Sequence, residues 1–201
     1  SDGEFTITEE DRAYWAFQPI KRPPEPKTKN ADWKLSPIDS FILAKLETKN
    51  LQPNHPATPR ELVCRVFFDL IGLPPTPDDV DAFEKAAAKD LQSALSDLVD
   101  QLIARDQYGE RWGRHWLDVV RFGQSNGYER DDEKPEAWRF RDYVIRAFNE
   151  DKPFDRFALE QLAGDELPDM TTDSIIATGF YRIGVWDDEP AEKTIALYDE
   201  L

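Results

Sequence analysis

Three times between residues 36 and 77 the chain sets a serine or threonine directly before a proline: Ser36-Pro37, Thr58-Pro59 and Thr76-Pro77. The hydroxyl at such a position accepts from a backbone N–H of the first helical turn. The proline behind it already has a helical φ and lacks only an N–H that would be unpaired there anyway. Each pair therefore predicts a helix start. After Ser36, the residues Ile38, Phe41, Ile42 and Leu46 recur at helical spacing, with an end near Asn50 ahead of Pro53. After Thr58 the stripe is Leu62, Val63, Val66, Phe67 and Leu70, stopped by Gly72-Leu-Pro-Pro75; after Thr76 it runs past Val80 and Phe83.

The same periodicity continues downstream. Leu91, Leu95, Leu98 and Leu102 mark an amphipathic helix over 91–105. Further helices are expected from about Tyr108 to Phe122, from Pro135 past Phe148, from Pro153 to Gly164, and from Thr172 to Phe180. No alternating strand pattern of useful length occurs. Upstream, Pro19, Pro23, Pro24 and Pro26 hold the chain extended, and Tyr14-Trp15-Ala16-Phe17 reads as an apolar anchor. The expected fold is all-α: a compact multi-helix domain over 34–201 with an extended Pro-rich N-terminal arm or linker over 1–33.

Charge narrows the partners. Asp and Glu number 41 against 25 Lys and Arg, a net charge of −16. Nucleic acid is met by basic faces, so it is not expected as a partner, and an anionic membrane surface is disfavoured by repulsion. No apolar stretch approaches the roughly 18 residues of a spanning helix, and no signal-peptide pattern is visible. Cys64 is the one cysteine, so neither an intrachain disulfide nor a Cys-x-x-Cys-His haem attachment is possible here. It lies in an apolar run, as a structural thiol does. A Walker loop, a Gly-x-Ser-x-Gly elbow and a dinucleotide fingerprint are all absent.

Polar chemistry concentrates in residues 111–131. Helical positions three or four apart share a face, so Arg111, His115, Asp118 and Phe122 align, and Asp118 falls between Arg114 and Arg121. Trp112, Trp116, Val119 and Val120 form the neighbouring apolar face. A carboxylate beside an imidazole favours imidazolium, so His115 and Asp118 are placed either for proton transfer or to tie the helix to its neighbours. Both roles expect these charges to be gathered inward around a shared pocket. The turn beyond Gly123 adds Asn126, Tyr128, Glu129 and Asp131. Asp187, Asp188 and Glu189 are a possible calcium set, though no run matches the twelve-residue EF-hand loop. In Trp138-Arg139-Phe-Arg141-Asp142 the arginines are placed to meet Asp155, Asp165 or Glu166 across the core, or to grip sulfate or carboxylate groups on a sugar.

Several blocks in fixed order carry a resemblance. They are Trp15-Ala-Phe-Gln-Pro-Ile, Pro37-Ile-Asp-Ser-Phe-Ile-Leu-Ala-Lys-Leu-Glu, Phe68-Asp-Leu-Ile-Gly-Leu-Pro-Pro-Thr-Pro and Tyr108-Gly-Glu-Arg-Trp-Gly-Arg-His-Trp-Leu-Asp. Ser125-Asn-Gly-Tyr-Glu-Arg-Asp, Asp151-Lys-Pro-Phe-Asp-Arg-Phe, Glu160-Gln-Leu-Ala-Gly-Asp and Trp186-Asp-Asp-Glu-Pro follow. Together the chain resembles the DUF1549 (PSCyt2) family of planctomycete and related bacterial proteins. The resemblance implies an exported protein, periplasmic or at the cell surface, that joins a cytochrome-c-like module, this domain and a DUF1553 domain. In the family a Cys-x-x-Cys-His run follows soon after the Tyr-Asp-Glu-Leu block. Here Leu201 precedes any such run, so the chain is expected to be a fragment that attaches no haem covalently.

Three functions follow from that resemblance and the residues together. In the first, the domain walls a c-type haem or redox site completed by sequence beyond Leu201, with His115, Asp118, Arg121, Tyr128, Glu129 and Trp186 as wall residues; a redox protein is then a partner. In the second, it binds or acts on an anionic polysaccharide, with calcium at Asp187, Asp188 and Glu189. In the third, it is an interaction module held by buried Arg–Asp pairs.

Overall fold

A computed structural model describes residues 7–29, 33, 36–127, 130–185 and 187. They form α1 (Glu9–Ala13), α2 (Pro37–Thr48), α3 (Pro59–Leu70), α4 (Pro77–Ala87), α5 (Leu91–Ile103), α6 (Asp106–Val119), α7 (Ala137–Asn149), α8 (Phe154–Ala163) and α9 (Thr172–Ala177), which runs on into a 3-10 turn at Thr178–Arg182. Among the described residues strand pairing is limited to an isolated bridge between Ser125 and Glu133. The fold is all-α.

The Thr-Pro starts are built as their chemistry requires. Thr58 N–H donates to the Glu61 carboxylate at 2.7 Å and Thr76 N–H to the Asp79 carboxylate at 2.9 Å. The threonine hydroxyls accept in return from the N–H groups of Glu61 and Asp79. Hydrogen bonds from Thr58 and Thr76 hold both carboxyls below their ordinary values. Ser36 N–H donates to Asp39 in the same way.

The chain divides into two compact units, Ser1–Pro56 and Ala57–Leu201, so α2 lies with the N-terminal arm. In the first unit the extended stretch before α2 is fastened by polar contacts: Ser40 hydroxyl to Glu25 at 2.7 Å, and Lys29 N–H to Glu47 at 2.8 Å. The aromatic anchor expected at Trp15 and Phe17 is not what fastens it. Both side chains are about three-quarters exposed, 77% and 75%, and their rings meet Tyr14 at 5.8 and 5.9 Å.

The second unit holds two apolar cores. One gathers Val63, Phe67, Ile71, Phe83, Ala94 and Leu102 from α3, α4 and α5, with Cys64 half-buried at its edge. The other gathers Phe140, Tyr143, Val144 and Ala147 of α7 with Phe157, Ala177 and Ile183. Helix α6 touches α3 and α5 and packs most extensively on α7. It approaches α7 through Gly109 and Gly113, one turn apart. A Cβ at Gly109 would lie 2.4 Å from the Ile145 carbonyl oxygen and 2.6 Å from the Asn149 side chain. Asn149 also clamps the helix start, accepting from Gly109 N–H at 2.7 Å and donating to the Asp106 carbonyl at 3.1 Å. Gly109→Ala is therefore expected to destabilise by about 2 kcal/mol, overpacking outweighing the gain in helix propensity. Urea unfolding measures it, and an unchanged midpoint would mean the helices are not in backbone contact here.

Candidate functional site

Helix α6 carries most of the residues singled out by sequence, and its faces differ from the expected ones. Gly109, Gly113, Trp116 and Val120 turn toward α7 and α8. Trp116 Nε1 donates to Gln161 Oε1 at 2.8 Å, and the indole meets Phe157 and Phe154 edge-on at 5.1 and 6.3 Å. Trp112 does not share that face. Tyr108, Trp112, His115 and Val119 instead form a ladder along the flank at spacings of four, three and four. Ring centroids lie 6.1 Å apart for Tyr108–Trp112 and 5.5 Å for Trp112–His115, the latter edge-on. Trp112 is 36% exposed, Val119 is 70% exposed, and His115 is exposed. The two glycines decide this split: with the smallest residues nearest α7, only the indole at position 116 fits beside them.

The inward pocket expected around His115 and Asp118 is not formed. Both side chains face solvent, and no described contact joins them. Asp118 pairs with Arg114 at 3.8 Å, with both partners 68% exposed, a surface pair of small energetic weight. Arg121 leaves the Asp118 face because α6 ends at Val119. Arg121 takes a left-handed φ of 53°, and the Phe122 N–H donates back to the Leu117 carbonyl, closing a Schellman turn. Arg111 packs against the turn at Gly72, with its Nε buried and without a hydrogen-bond partner among the described residues.

Tyr128, Glu129, Trp186, Asp188 and Glu189 lie outside the described residues; Asp187 lies within them. Among the described residues no group of three or more His, Cys, Asp or Glu side chains could hold a metal ion. Arg139 and Arg141 do not cross the core. Arg139 pairs with Glu136 and lies over Trp138, and Arg141 pairs with Asp142 at 2.8 Å. Arg146, paired with Asp173 at 2.7 Å, bridges α7 and α9 instead, at the exposed surface.

The buried polar centre lies elsewhere, around Glu160, which is 4% exposed. Its carboxylate accepts from Tyr143 hydroxyl at 2.8 Å, Lys152 Nζ at 2.6 Å and Arg156 Nε at 2.8 Å. Lys152 also sits 4.8 Å from the centroid of the Tyr143 ring, which stacks on Phe157, and Arg156 reaches on to Asp169 at 2.9 Å. Burial alone pushes the Glu160 carboxyl up, but the hydrogen bonds from Lys152, Arg156 and Tyr143 together outweigh it and leave it below its ordinary value. Burial, then the hydrogen bond to Glu160, drives the Tyr143 hydroxyl far above the usual phenol range. Each of these groups is satisfied by another, so the cluster ties α7 to α8 and leaves no free acid or base. The sequence held one signal for it. Arg156 and Glu160, four residues apart, are charges on the side of α8 that also carries Phe157 and Gln161, where an apolar stripe would otherwise run.

The molecule is thus an all-α protein whose deepest charges lock helices together and whose central helix bares an aromatic flank bearing an imidazole. Within that class, the chain belongs to the DUF1549 (PSCyt2) family, a family of unknown function whose model matches residues 37–200. No curated protein and no solved structure matches the chain. Among the described residues no helix is long and apolar enough to cross a membrane.

Proposed function

We propose that this domain forms one wall of a redox site in an exported, c-type cytochrome-associated protein. The rest of the site comes from a haem-bearing segment and a DUF1553-like domain outside this chain. The observation that supports this most directly is the ladder on α6. An exposed imidazole that has no hydrogen-bond or ionic partner among the described residues, set edge-on to Trp112 and followed by the bare Val119, is the kind of apolar flank that another surface covers. His115 is the residue of this chain that would hold a haem iron, since its imidazole is exposed and a nitrogen donor suits iron. The chain does not fit covalent attachment, because two thioether anchors are needed and Cys64 is alone.

A bound haem would supply the electron exchange. The part of this chain is to present and orient. His115 offers a ring nitrogen, Trp112 fixes the plane of the imidazole, and Trp112 with Val119 keeps water from that side. The exposed Arg114–Asp118 pair stays in solvent and gives the surface its polar rim. The test uses the longer protein with its haem-bearing segment. His115→Ala should leave the stability within about 0.5 kcal/mol, as at other exposed sites, while shifting the Soret band and the reduction potential. A folded His115→Ala protein with unchanged spectrum and potential would remove the α6 ladder from the redox site.

A further inference from the structure

The segment joining α6 to α7 folds back on itself. Asn126 N–H donates to the Asp132 carbonyl at 3.0 Å and Lys134 N–H to the Gln124 carbonyl at 2.7 Å. Gly127, at φ +83°, donates its N–H to the Asp131 carboxylate at 2.7 Å. Ser125 foremost, with this Gly127 bond, holds the Asp131 carboxyl below its ordinary value. Asp131, one of the polar residues of this turn, thus braces the loop. The folded-back segment and the start of α7 enclose a cleft of about 450 Å³, lined by Gln124, Ser125, Glu133, Lys134, Pro135 and Trp138.

Its lining combines an aromatic surface with unclaimed polar groups. Trp138 is 45% exposed, and the Arg139 guanidinium, held by Glu136, lies 5.1 Å from the ring centroid and steadies it. The Gln124 amide and the Glu133 carboxylate make no side-chain hydrogen bond or ion pair among the described residues. Lys134 is different: its amine donates to the Gly184 carbonyl, and burial, then the charge of Arg182, lowers its pKa. An anionic ligand would therefore meet the Glu133 carboxylate, with Lys134 as the cation of the lining already committed to a backbone carbonyl. The two arginines expected to grip a charged sugar already have partners, Glu136 and Asp142.

We propose that this cleft binds a neutral saccharide. A pyranose presents a C–H face that packs on an indole, and a rim of hydroxyls that both donate and accept. An amide answers both roles and a carboxylate accepts two hydroxyl donors, so Gln124 and Glu133 beside Trp138 supply what such a ring needs. A phosphate or sulfate ester would face the Glu133 carboxylate and would find a cation in this lining only at Lys134, whose amine already donates to the Gly184 carbonyl. The proposal is independent of the redox role assigned to α6.

Ligand-observed saturation-transfer NMR on the 201-residue chain tests it. One arm uses uncharged cello-, xylo-, manno- and laminari-oligosaccharides, the other polygalacturonate and heparin fragments. At least one uncharged oligosaccharide should show transfer to its ring C–H protons, and Trp138→Ala should remove it. Gln124→Ala and Glu133→Ala, changes at exposed positions that leave the circular dichroism spectrum intact, should each weaken binding by about tenfold, the effect of one lost hydrogen-bonding group. These two variants decide the matter even if Trp138→Ala fails to fold. No transfer to any uncharged sugar, binding that survives in both polar variants, or preference for the charged glycans would overturn the assignment.

Discussion

Glu160→Ala is expected to lower the unfolding free energy by about 3 kcal/mol, the lower end of the cost of leaving a buried charge partner uncompensated. The lower end applies because Arg156 keeps Asp169 and stays partly in contact with water, whereas Lys152 is 16% exposed and loses the carboxylate it points at. For a chain of this size that corresponds to a fall in melting temperature of roughly 6–12 °C. A double-mutant cycle separates the charge from the packing. Lys152→Met combined with Glu160→Met should recover part of the loss, since replacing both members of a buried pair by apolar groups is often neutral. Strict additivity of the two changes would show that no such pair exists.

The same cluster sets a pH dependence. The folded-state pKa of Glu160 is depressed, so its stabilisation is fully present above the ordinary carboxylate value of about 4.3 and is lost as pH falls through the lower folded value. Asp11, Glu61, Asp79, Glu84 and Asp131 are shifted the same way. Tyr143 acts at the other end. Its raised pKa stabilises the fold below the usual phenol value of about 10, and that contribution fades as pH climbs above it. The melting temperature should therefore be level near neutrality and fall on both sides. Glu160→Gln should make the acid limb shallower, and an acid limb identical to that of the unchanged protein would exclude Glu160 as a contributor.

Gly164→Ala is expected to be comparably damaging, by about 3 kcal/mol or more, beyond the usual range for a single added methyl. An added Cβ would fall 1.9 Å from the Ser174 carbonyl oxygen and 2.3 Å from that of Glu160, both backbone atoms that no rotamer change can move. Ser174 hydroxyl also donates to the Gly164 carbonyl at 2.8 Å, so separating α8 from α9 breaks a buried hydrogen bond as well. Thermal unfolding followed by circular dichroism measures it; a variant within about 0.5 kcal/mol of the parent would mean that α8 and α9 do not approach this closely.

Helix positions were legible because their signals are local. The hydroxyl–proline starts at 36, 58 and 76 and the stripe at Leu91, Leu95, Leu98 and Leu102 each lie within a few residues of the backbone groups they satisfy, and the structure places helices at all four. Gly164 as the stop of α8 belongs to the same kind. The faces of α6 were not legible. Hydropathy assigns Trp112 and Trp116 to one apolar side, since both are large and forty degrees apart on a helical wheel. It takes no account of which neighbour presses on the helix.

What the sequence by itself determined is where the helices from α2 to α9 lie and that no sheet competes among the described residues, because capping and periodicity are contacts within one turn; α1, inside the arm expected to be extended, was missed although Thr8 and Asp11 cap it by the same chemistry. Tertiary structure alone decided which charges meet. Glu160 draws Tyr143 and Lys152 from different parts of the chain, while His115 and Asp118, three residues apart, end in solvent without touching. The reason is steric: α7 lies closest to α6 at Gly109 and Gly113, and the side of a helix on which a neighbour packs fixes which side chains lose water and must find a partner.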